Sequence, residues 1–173
     1  EMEEPLMRVL AKMERDGVKV DLAQIEDFAD SLRRETAALE AEIRELADEP
    51  SLNISSPKQV GDVLFDKLKL DPKAKKSGRG SYTTDEATLT AIIDKHPVVG
   101  KILEYRAVKK LLSTYIEPFP SYVSSIDGRV HTTFNQALTA TGRLSSSAPN
   151  LQNIPVRTEH GREIRKAFVP GTA

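Results

Sequence analysis

The first helical pattern in the chain is an apolar stripe near the N-terminus, at the spacing of one helix face. Its members are Leu6, Val9, Leu10 and Met13. They predict a helix over about 3–15, which Gly17 can close because glycine readily adopts the left-handed conformation of a helix end. Val18-Lys19-Val20 follows and predicts a short extended link.

A longer helix is predicted over about 21–48, with Asp21 as its N-cap. Its apolar positions recur every seven residues, as in a coiled coil, with a second set four positions later. The two sets are Ile25, Leu32, Leu39 and Leu46, and Ala29, Thr36 and Ile43. The segment 98–116 carries another apolar face, so the two helices are expected to pack as a long antiparallel hairpin.

The region 50–95, between these helices, predicts short helices and loops. Asn53 to Lys58 indicates a turn followed by a helix start, and Thr83 with Glu86 forms a capping-box signature for another short helix. Cations are concentrated here: Lys67, Lys69, Lys73, Lys75, Lys76 and Arg79. We therefore expect the hairpin to end in a small-helix tip with a basic, flexible surface.

The pattern changes at Pro118, after which prolines, serines and the Asp127-Gly128 turn interrupt the helical periodicity. The segments 130–134 and 166–169 are rich in β-branched and aromatic residues and predict two strands, with a helical turn at 161–164. These strands cannot form a complete core alone. The expected fold class is an α+β fragment, mainly α, in which a helical hairpin precedes the first antiparallel strands of a sheet.

Composition narrows the class of protein without identifying it. The 173 residues are 39% hydrophobic and 29% charged, and no apolar run approaches the ~20 residues that span a membrane. We expect no membrane partner. The absence of cysteine excludes disulfides and thiolate metal sites and is typical of a reducing cytosol. The chain begins at Glu1 without a secretory signal, and we expect it to be part of a larger protein.

The net charge of -1 conceals oppositely charged regions. Residues 1–50 contain 7 Lys and Arg against 15 Asp and Glu, whereas 51–125 contain 12 against 8 and 126–173 contain 6 against 3. This asymmetry favours a polyanionic partner for the second part of the chain. Acidic helices that are simply well solvated would explain the charge asymmetry equally well, without a polyanionic partner.

The most informative polar segment is 139–157, where hydroxyls, carboxamides and two arginines surround Gly142, Pro149 and Pro155. It predicts a surface rich in hydrogen-bond donors. Ser145 to Ser147 lack a nucleophile-elbow pattern, and no two histidines have metal-ligand spacing. The residues alone therefore predict a binding surface, with no catalytic residue and no metal site in this chain.

Two further groups of polar residues suit a phosphate backbone. Arg106 and Lys110 stand four apart and share a helix face, which Ser113 and Thr114 are expected to continue. An ordinary solvated face is the alternative for this group. The second group lies near a helix N-terminus, where backbone N–H groups attract anions. Its members are Asn53, Ser55, Ser56 and Lys58.

Residues 139–157 closely resemble the first signature motif of the polymerase domain in family A DNA polymerases, the bacterial DNA polymerase I class. The resemblance extends along the chain, with an opening helix, a thumb tip, a second thumb helix and a first palm strand. The matching segments are 5–18, 53–58, 104–115 and 128–132. The resemblance implies a palm-proximal helix and link over 1–20, a thumb over 21–117 and a truncated N-terminal part of the palm over 118–173.

The resemblance also implies roles for single residues in gripping primer–template DNA. Arg143 would reach the minor-groove edge of the base pair at the primer terminus, and Arg157 would lie near the incoming dNTP. The other implied DNA contacts are Thr139, Asn150, Gln152, Asn153, Arg106, Lys110, Asn53, Ser55, Ser56 and Lys58. Many relatives have lysine at the position of Leu112, whereas here the extra cation is Lys109, which leaves the phosphate register of this helix open.

The enzyme implied by the resemblance is a DNA-directed DNA polymerase, a nucleotidyltransferase of DNA replication and repair in the bacterial cytoplasm. Its two catalytic aspartates, which would hold two Mg²⁺ ions, and its fingers are not in this chain. We therefore expect the chain to be inactive without the remainder of the polymerase domain, which comprises the fingers and the rest of the palm. The alternatives are a non-catalytic DNA-binding module and a coiled-coil interaction protein.

Overall fold

Helices form the larger part of the protein in this computed structural model, which describes residues 3–78, 80–155 and 158–171. The α-helices are α1 Glu3–Asp16, α2 Leu22–Leu46, α3 Pro57–Gly61, α4 Glu86–Ala91, α5 Pro97–Leu111 and α6 Glu159–Lys166. The strands are β1 Val18–Val20, β2 Arg129–Val130, β3 Thr133–Asn135, β4 Ser145–Ser147 and β5 Phe168–Val169. Short π or 3₁₀ turns occupy Asp62–Lys67, Ile93–Lys95, Leu112–Ile116, Phe119–Tyr122 and Leu151–Asn153. The expected α+β class, mainly α, is confirmed.

The chain forms two compact units. One comprises the described parts of Glu1–Ser31 and Leu112–Ala173, and the other is Leu32–Leu111. The assignment of 1–20, 21–117 and 118–173 to parts of a thumb and a palm stays a prediction. Among the helices of the described residues, none combines the length and apolar character needed to cross a bilayer.

The unit Leu32–Leu111 is built on the predicted antiparallel hairpin of α2 and α5. Lys101 Nζ lies 3.1 Å from a Glu42 carboxylate oxygen, and the Tyr105 hydroxyl donates to Glu40 Oε1 at 3.0 Å. Residue numbers thus rise along one helix as they fall along the other. The heptad positions of this unit that are buried are Leu32, Thr36, Leu39 and Ile43. A coiled-coil partner would need these side chains at the surface.

The end of the heptad pattern departs from the prediction. Leu46 is only half-buried, and the adjacent Ala47 is fully buried instead. α2 ends at Leu46, and Asp48 adopts a positive φ of 48°. α2 therefore ends at the last predicted heptad position, and this position is not part of the buried core.

The short helices between α2 and α5 follow the prediction at one N-cap and depart from it at the other. α3 begins where expected, with Pro57 in its first turn and the Ser56 hydroxyl accepting a bond from Gln59 N at 3.4 Å. α4 begins at Glu86 with Asp85 as its N-cap, because Asp85 Oδ1 accepts from Thr88 N at 2.7 Å. The Thr83 capping box is therefore wrong, since an adequate cap stands two residues later.

The other unit contains an antiparallel sheet of order β2-β1-β5. Val18 pairs with Val130, and Val20 pairs with Phe168. β1 was predicted only as a link, yet it is the central strand of this sheet. Three residues carry too little periodicity to reveal a strand, and pairing partners more than a hundred positions away decide its role.

The predicted strand over 130–134 is divided between two sheets. Val130 belongs to β2, whereas β3 pairs with β4 through Thr133 and Ser147. His131 and Thr132 separate β2 from β3, and their side chains bond to other segments of the chain. β4 was not predicted because serine is not among the β-branched and aromatic residues that are enriched in strands. The predicted strand over 166–169 is also shorter than expected, since α6 extends to Lys166.

Polar contacts join α1 to the segment that follows β2. The carbonyl of Glu14 accepts from His131 Nδ1 at 2.7 Å, and its carboxylate accepts from Phe134 N at 2.5 Å. Gly17 closes α1 with a φ of +61°, as predicted. A Cβ at Gly17 would lie 2.7 Å from the His131 ring, so the histidine also requires a glycine there.

Candidate nucleic-acid interface

A tight turn presents Arg143 at the start of the polar segment. Gly142 N donates to the Thr139 carbonyl at 3.2 Å, and Gly142 has a φ of +71°. The Thr139 hydroxyl donates to the Arg143 carbonyl at 2.5 Å. Thr139 therefore braces the turn, while the Arg143 side chain is exposed.

The chain continues through β4 into a short 3₁₀ turn that presents three carboxamides. Asn150 caps this turn, because its Oδ1 accepts from Gln152 N at 3.1 Å. The buried Ser146 hydroxyl accepts from Leu151 N at 3.0 Å and lies 3.3 Å from Asn150 Oδ1. Asn150, Gln152 and Asn153 are all exposed.

These residues meet in one open depression of about 530 Å³. Its lining residues are Arg143, Leu144, Ser145, Asn150, Gln152 and Asn153. Four of them are residues that the sequence predicts as DNA contacts, and Thr139 is bonded to one of those four. The depression thus combines a guanidinium with carboxamides, which is a surface able to donate several hydrogen bonds at once.

Two residues behind this surface were missed by the sequence prediction. The Thr132 side chain is buried, and its hydroxyl bonds to the carbonyls of Ser147 and Pro149 at 3.1 and 2.8 Å. Ser146 is buried as well and contacts Asn150. Both are ordinary hydroxyl residues in a polar stretch, and no sequence signal separates them from their neighbours.

The predicted cluster at the start of α3 uses much of its polarity within the protein. Asn53 Oδ1 accepts from Ser55 N at 3.0 Å, and the Ser56 hydroxyl caps α3. The Ser55 hydroxyl lies 3.1 Å from the hydroxyl of Tyr105, a residue whose pKa is raised by burial. Lys58 is exposed. The turn is therefore held against α5, and Lys58 supplies its exposed charge.

Arg106 and Lys110 occur on α5 in different environments. The Arg106 guanidinium is partly buried and bonds to the carbonyl of Thr84 and, at 3.1 Å, to its hydroxyl. Burial lowers the pKa of Arg106 below its ordinary value. Lys110 is exposed. Arg106 thus has a structural task in the described protein, and its predicted DNA contact stays a prediction.

The helical face predicted to continue through Ser113 and Thr114 passes through a π turn. Glu117 N donates to the Leu112 carbonyl at 2.9 Å, five positions back. A π turn inserts about one residue into the helical repeat. Ser113 and Thr114 are both exposed, but spacing from Lys110 no longer predicts which face they occupy.

The basic tip is partly neutralised by its own carboxylates. Lys76 Nζ lies 2.8 Å from Asp66 and 5.0 Å from the centre of the Tyr82 ring, and the bond to Asp66 raises the pKa of Lys76. Lys67 bonds to the Asp48 carbonyl and lies near a carboxylate of Glu49. The exposed lysines of the region include Lys69, Lys73 and Lys75. Arg79, like Arg157, lies outside the described residues.

The part of the chain that the structure describes does not fit a Mg²⁺ site. It holds no group of three or more histidine or carboxylate side chains placed to bind a metal ion. A hard divalent cation requires several oxygen ligands converging on one point. No step of a metal-assisted reaction can therefore be derived from these residues.

Known proteins match this chain in sequence and in architecture, over a range that includes the polar segment 139–157. The family model for DNA polymerase family A matches residues 22–173. The chain is 52% identical over 170 residues to DNA polymerase I of Geobacillus stearothermophilus, and 50% identical over 169 residues to the thermostable DNA polymerase I of Thermus thermophilus. Each match covers 98% of this chain, and 19% and 20% of the respective relative. The chain thus spans about a fifth of the length of these curated relatives.

A solved structure also matches nearly the whole chain. The POL domain of Pol1 from M. smegmatis, in complex with DNA primer-template and dNTP, matches with a TM-score of 0.84 and 44% sequence identity. The match covers 98% of this chain and 29% of that chain. Because the family model and the relatives cover nearly the whole sequence, the chain belongs to DNA polymerase family A.

Proposed function

We propose that this chain forms the thumb and the first part of the palm of a template-directed DNA polymerase. In this role it holds the primer–template duplex, and Arg143 contacts the minor groove at the primer terminus. The observation that carries the proposal is the depression in which Arg143 lies with Asn150, Gln152 and Asn153. The relatives named DNA polymerase I support the same role.

The chemistry of the depression suits a duplex of any sequence. Every base pair presents purine N3 or pyrimidine O2 acceptors at nearly the same places in the minor groove. Guanidinium and amide N–H groups can donate to those acceptors without distinguishing one correct pair from another. Exposed lysines such as Lys58 and Lys110 would add contacts to phosphate, which position the duplex and carry no sequence information.

The whole enzyme would be a DNA-directed DNA polymerase of the bacterial cytoplasm that uses dNTP and two Mg²⁺ ions. The metal ligands, the fingers and the rest of the palm would come from residues other than those described here. Arg157 would lie near the incoming nucleotide. By itself, this chain is expected to bind duplex DNA without extending a primer.

The test is equilibrium binding of the 173-residue chain to a fluorescently labelled primer–template, followed by fluorescence anisotropy. Tighter binding to primer–template than to a single strand of equal length is expected, with affinity that falls as salt rises. Equal binding to both, or no binding at low salt, would overturn the proposal. A primer-extension assay with Mg²⁺ completes the test, since any template-directed incorporation would contradict the expected inactivity.

Sedimentation of the same sample separates the remaining alternative. A coiled-coil interaction protein would form concentration-dependent oligomers without DNA. We expect a monomer, because the heptad side chains of α2 other than Leu46 are already buried within the chain.

A further inference from the structure

Thr132 and Ser146 place buried hydroxyl groups directly behind the depression. Thr132 is 6% exposed and Ser146 is 3% exposed. Neither can contact DNA itself. Both nevertheless bond to the short segment that carries Asn150.

The single hydroxyl proton of Thr132 is shared between two carbonyls of the backbone before Asn150. This hydroxyl lies 2.8 Å from the Pro149 carbonyl and 3.1 Å from the Ser147 carbonyl, on either side of Ala148. Ala148 has a positive φ of 55°, a conformation that residues other than glycine seldom adopt. Local preference therefore does not favour this path, and a tertiary hydrogen bond must help to hold it.

The Gln152 N–H fixes which end of the Asn150 carboxamide is available, and Ser146 adds a second bond to the other end. The backbone N–H of Gln152 can only donate, and it points at one atom of that carboxamide at 3.1 Å. That atom must therefore be the oxygen, Oδ1. The Ser146 hydroxyl lies 3.3 Å from the same oxygen while accepting from Leu151 N, so its own proton can go to Oδ1. With the oxygen occupied twice, Asn150 offers Nδ2 to a ligand.

A donor in this position has the polarity that a minor groove requires. Asn150 and Arg143 line the same depression. The Nδ2 group of Asn150 and the guanidinium of Arg143 are both donors only. The groove edge of every base pair carries acceptors. A carboxamide turned the other way would oppose its oxygen to those acceptors and weaken binding.

We propose that Thr132 and Ser146 are positioning residues that fix the 147–151 segment and hold Asn150 as a hydrogen-bond donor toward the duplex. This inference rests on the proposed function, because it assumes that the depression receives DNA. It assigns to two buried hydroxyls a role in ligand geometry as well as in packing. The role acts through Asn150.

A double-mutant cycle tests the coupling. Thr132→Val removes the hydroxyl at nearly constant shape and is expected to weaken primer–template binding about tenfold, whereas Thr132→Ser retains the hydroxyl and should bind like the wild type. In an Asn150→Ala background, Thr132→Val should cause no further loss, because the group that it positions is gone. Circular dichroism checks that each variant is folded at the assay temperature.

The outcomes separate the two proposals. Additive effects of Thr132→Val and Asn150→Ala, or a Thr132→Val variant that binds like the wild type, would overturn the positioning role and leave the proposed function intact. Failure of the wild-type chain to bind DNA would overturn both. If Thr132→Val does not fold, the same cycle with Ser146→Ala decides the question, since Ser146 contacts Asn150 directly.

Discussion

Arg143 is the exposed cation of the depression, and its position follows from one turn. The Thr139 hydroxyl and the positive φ of Gly142 shape that turn, so the guanidinium emerges beside the carboxamides of Asn150 and Gln152. A guanidinium is planar and presents several donors in a fixed arrangement, unlike the point charge of lysine. The geometry of this side chain should therefore matter beyond its charge.

Arg143→Ala should weaken binding to primer–template by about 1–3 kcal/mol, and Arg143→Lys should recover only part of that loss. Arg162→Ala is the matched control, because Arg162 is also exposed but does not line the depression. Fluorescence anisotropy at fixed salt measures all three variants. Equal losses for Arg143→Ala and Arg162→Ala would show that only net charge matters.

The polar link between α1 and the segment that follows β2 includes His131, which forms hydrogen bonds through both ring nitrogens. Nδ1 faces the Glu14 carbonyl, and Nε2 lies 3.0 Å from the Asp127 carboxylate. Both partners are acceptors, so both nitrogens must donate, which only the charged imidazolium can do. The bond to the Glu14 carbonyl, with the Asp127 carboxylate, raises the pKa of His131 above its ordinary value. The link also contains the Glu14 carboxylate, which accepts from Phe134 N, and the Arg129 guanidinium, which donates to the Asp16 carbonyl.

The raised pKa of His131 sets the sign of a pH effect. A histidine whose pKa is higher in the folded protein stabilises it fully below the unfolded pKa of about 6.5, and this stabilisation is lost as pH rises through the folded value. The advantage of the wild type over His131→Asn in urea unfolding should therefore be full below about pH 6.5 and should shrink as the pH rises above that value. Parallel stability curves for the two proteins over that range would contradict the assignment.

Gly17 tests the same link through packing. Gly17→Ala would suffer both the strain of a positive φ and a close contact with the His131 ring, so a loss of about 2–3 kcal/mol in unfolding free energy is expected. Gly128→Ala is the control, because Gly128 has a similar φ of +69° and no atom within 4 Å of an added Cβ. Thermal or urea unfolding compares the two variants. If both lose the same stability, the contact with His131 contributes nothing.

Charge is distributed unevenly over the whole molecule, with the acidic excess in 1–50 and the basic excess beyond it. Two lysines of the tip, Lys67 and Lys76, are paired with carboxylates, so fewer cations are available to DNA than the sequence count indicates. Each phosphate neutralised by a cation releases counterions and steepens the salt dependence of binding. The salt slope therefore measures how many cations of the whole chain meet the duplex.

Lys110→Ala should reduce the slope of log affinity against log salt by about 1, because it removes one phosphate contact. Lys95→Ala serves as the control, since Lys95 is an exposed lysine outside the predicted contacts. Binding isotherms at a series of salt concentrations give both slopes. An unchanged slope for Lys110→Ala would remove Lys110 from the interface.

Local patterns were sufficient for α1 and α2 and for much of the candidate site. The cap at Asp21, the end of α1 at Gly17 and the heptads of α2 all depend on residues within a few positions of one another. The segment that supplies Arg143, Asn150, Gln152 and Asn153 is also continuous in sequence, so a single motif contains all four residues. Hydrogen bonds and spacing inside a helix or a turn are short-range, and a sequence displays them directly.

The remaining features depend on partners that are distant in sequence. β1 is a central strand only because Val130 and Phe168 meet it, and the predicted strand after Arg129 divides because Thr132 bonds across to Ser147 and Pro149. Arg106 bonds to the side chain of Thr84, and its spacing along α5 gives no sign of this partner. The sequence by itself determined the helical periodicity and the polar motif, because both depend on residues that are close together in the chain. Only the tertiary structure decided the strand pairing, the neutralisation of charges and the hydrogen bonds that hold Asn150. Each of these arises from contacts that local spacing does not encode.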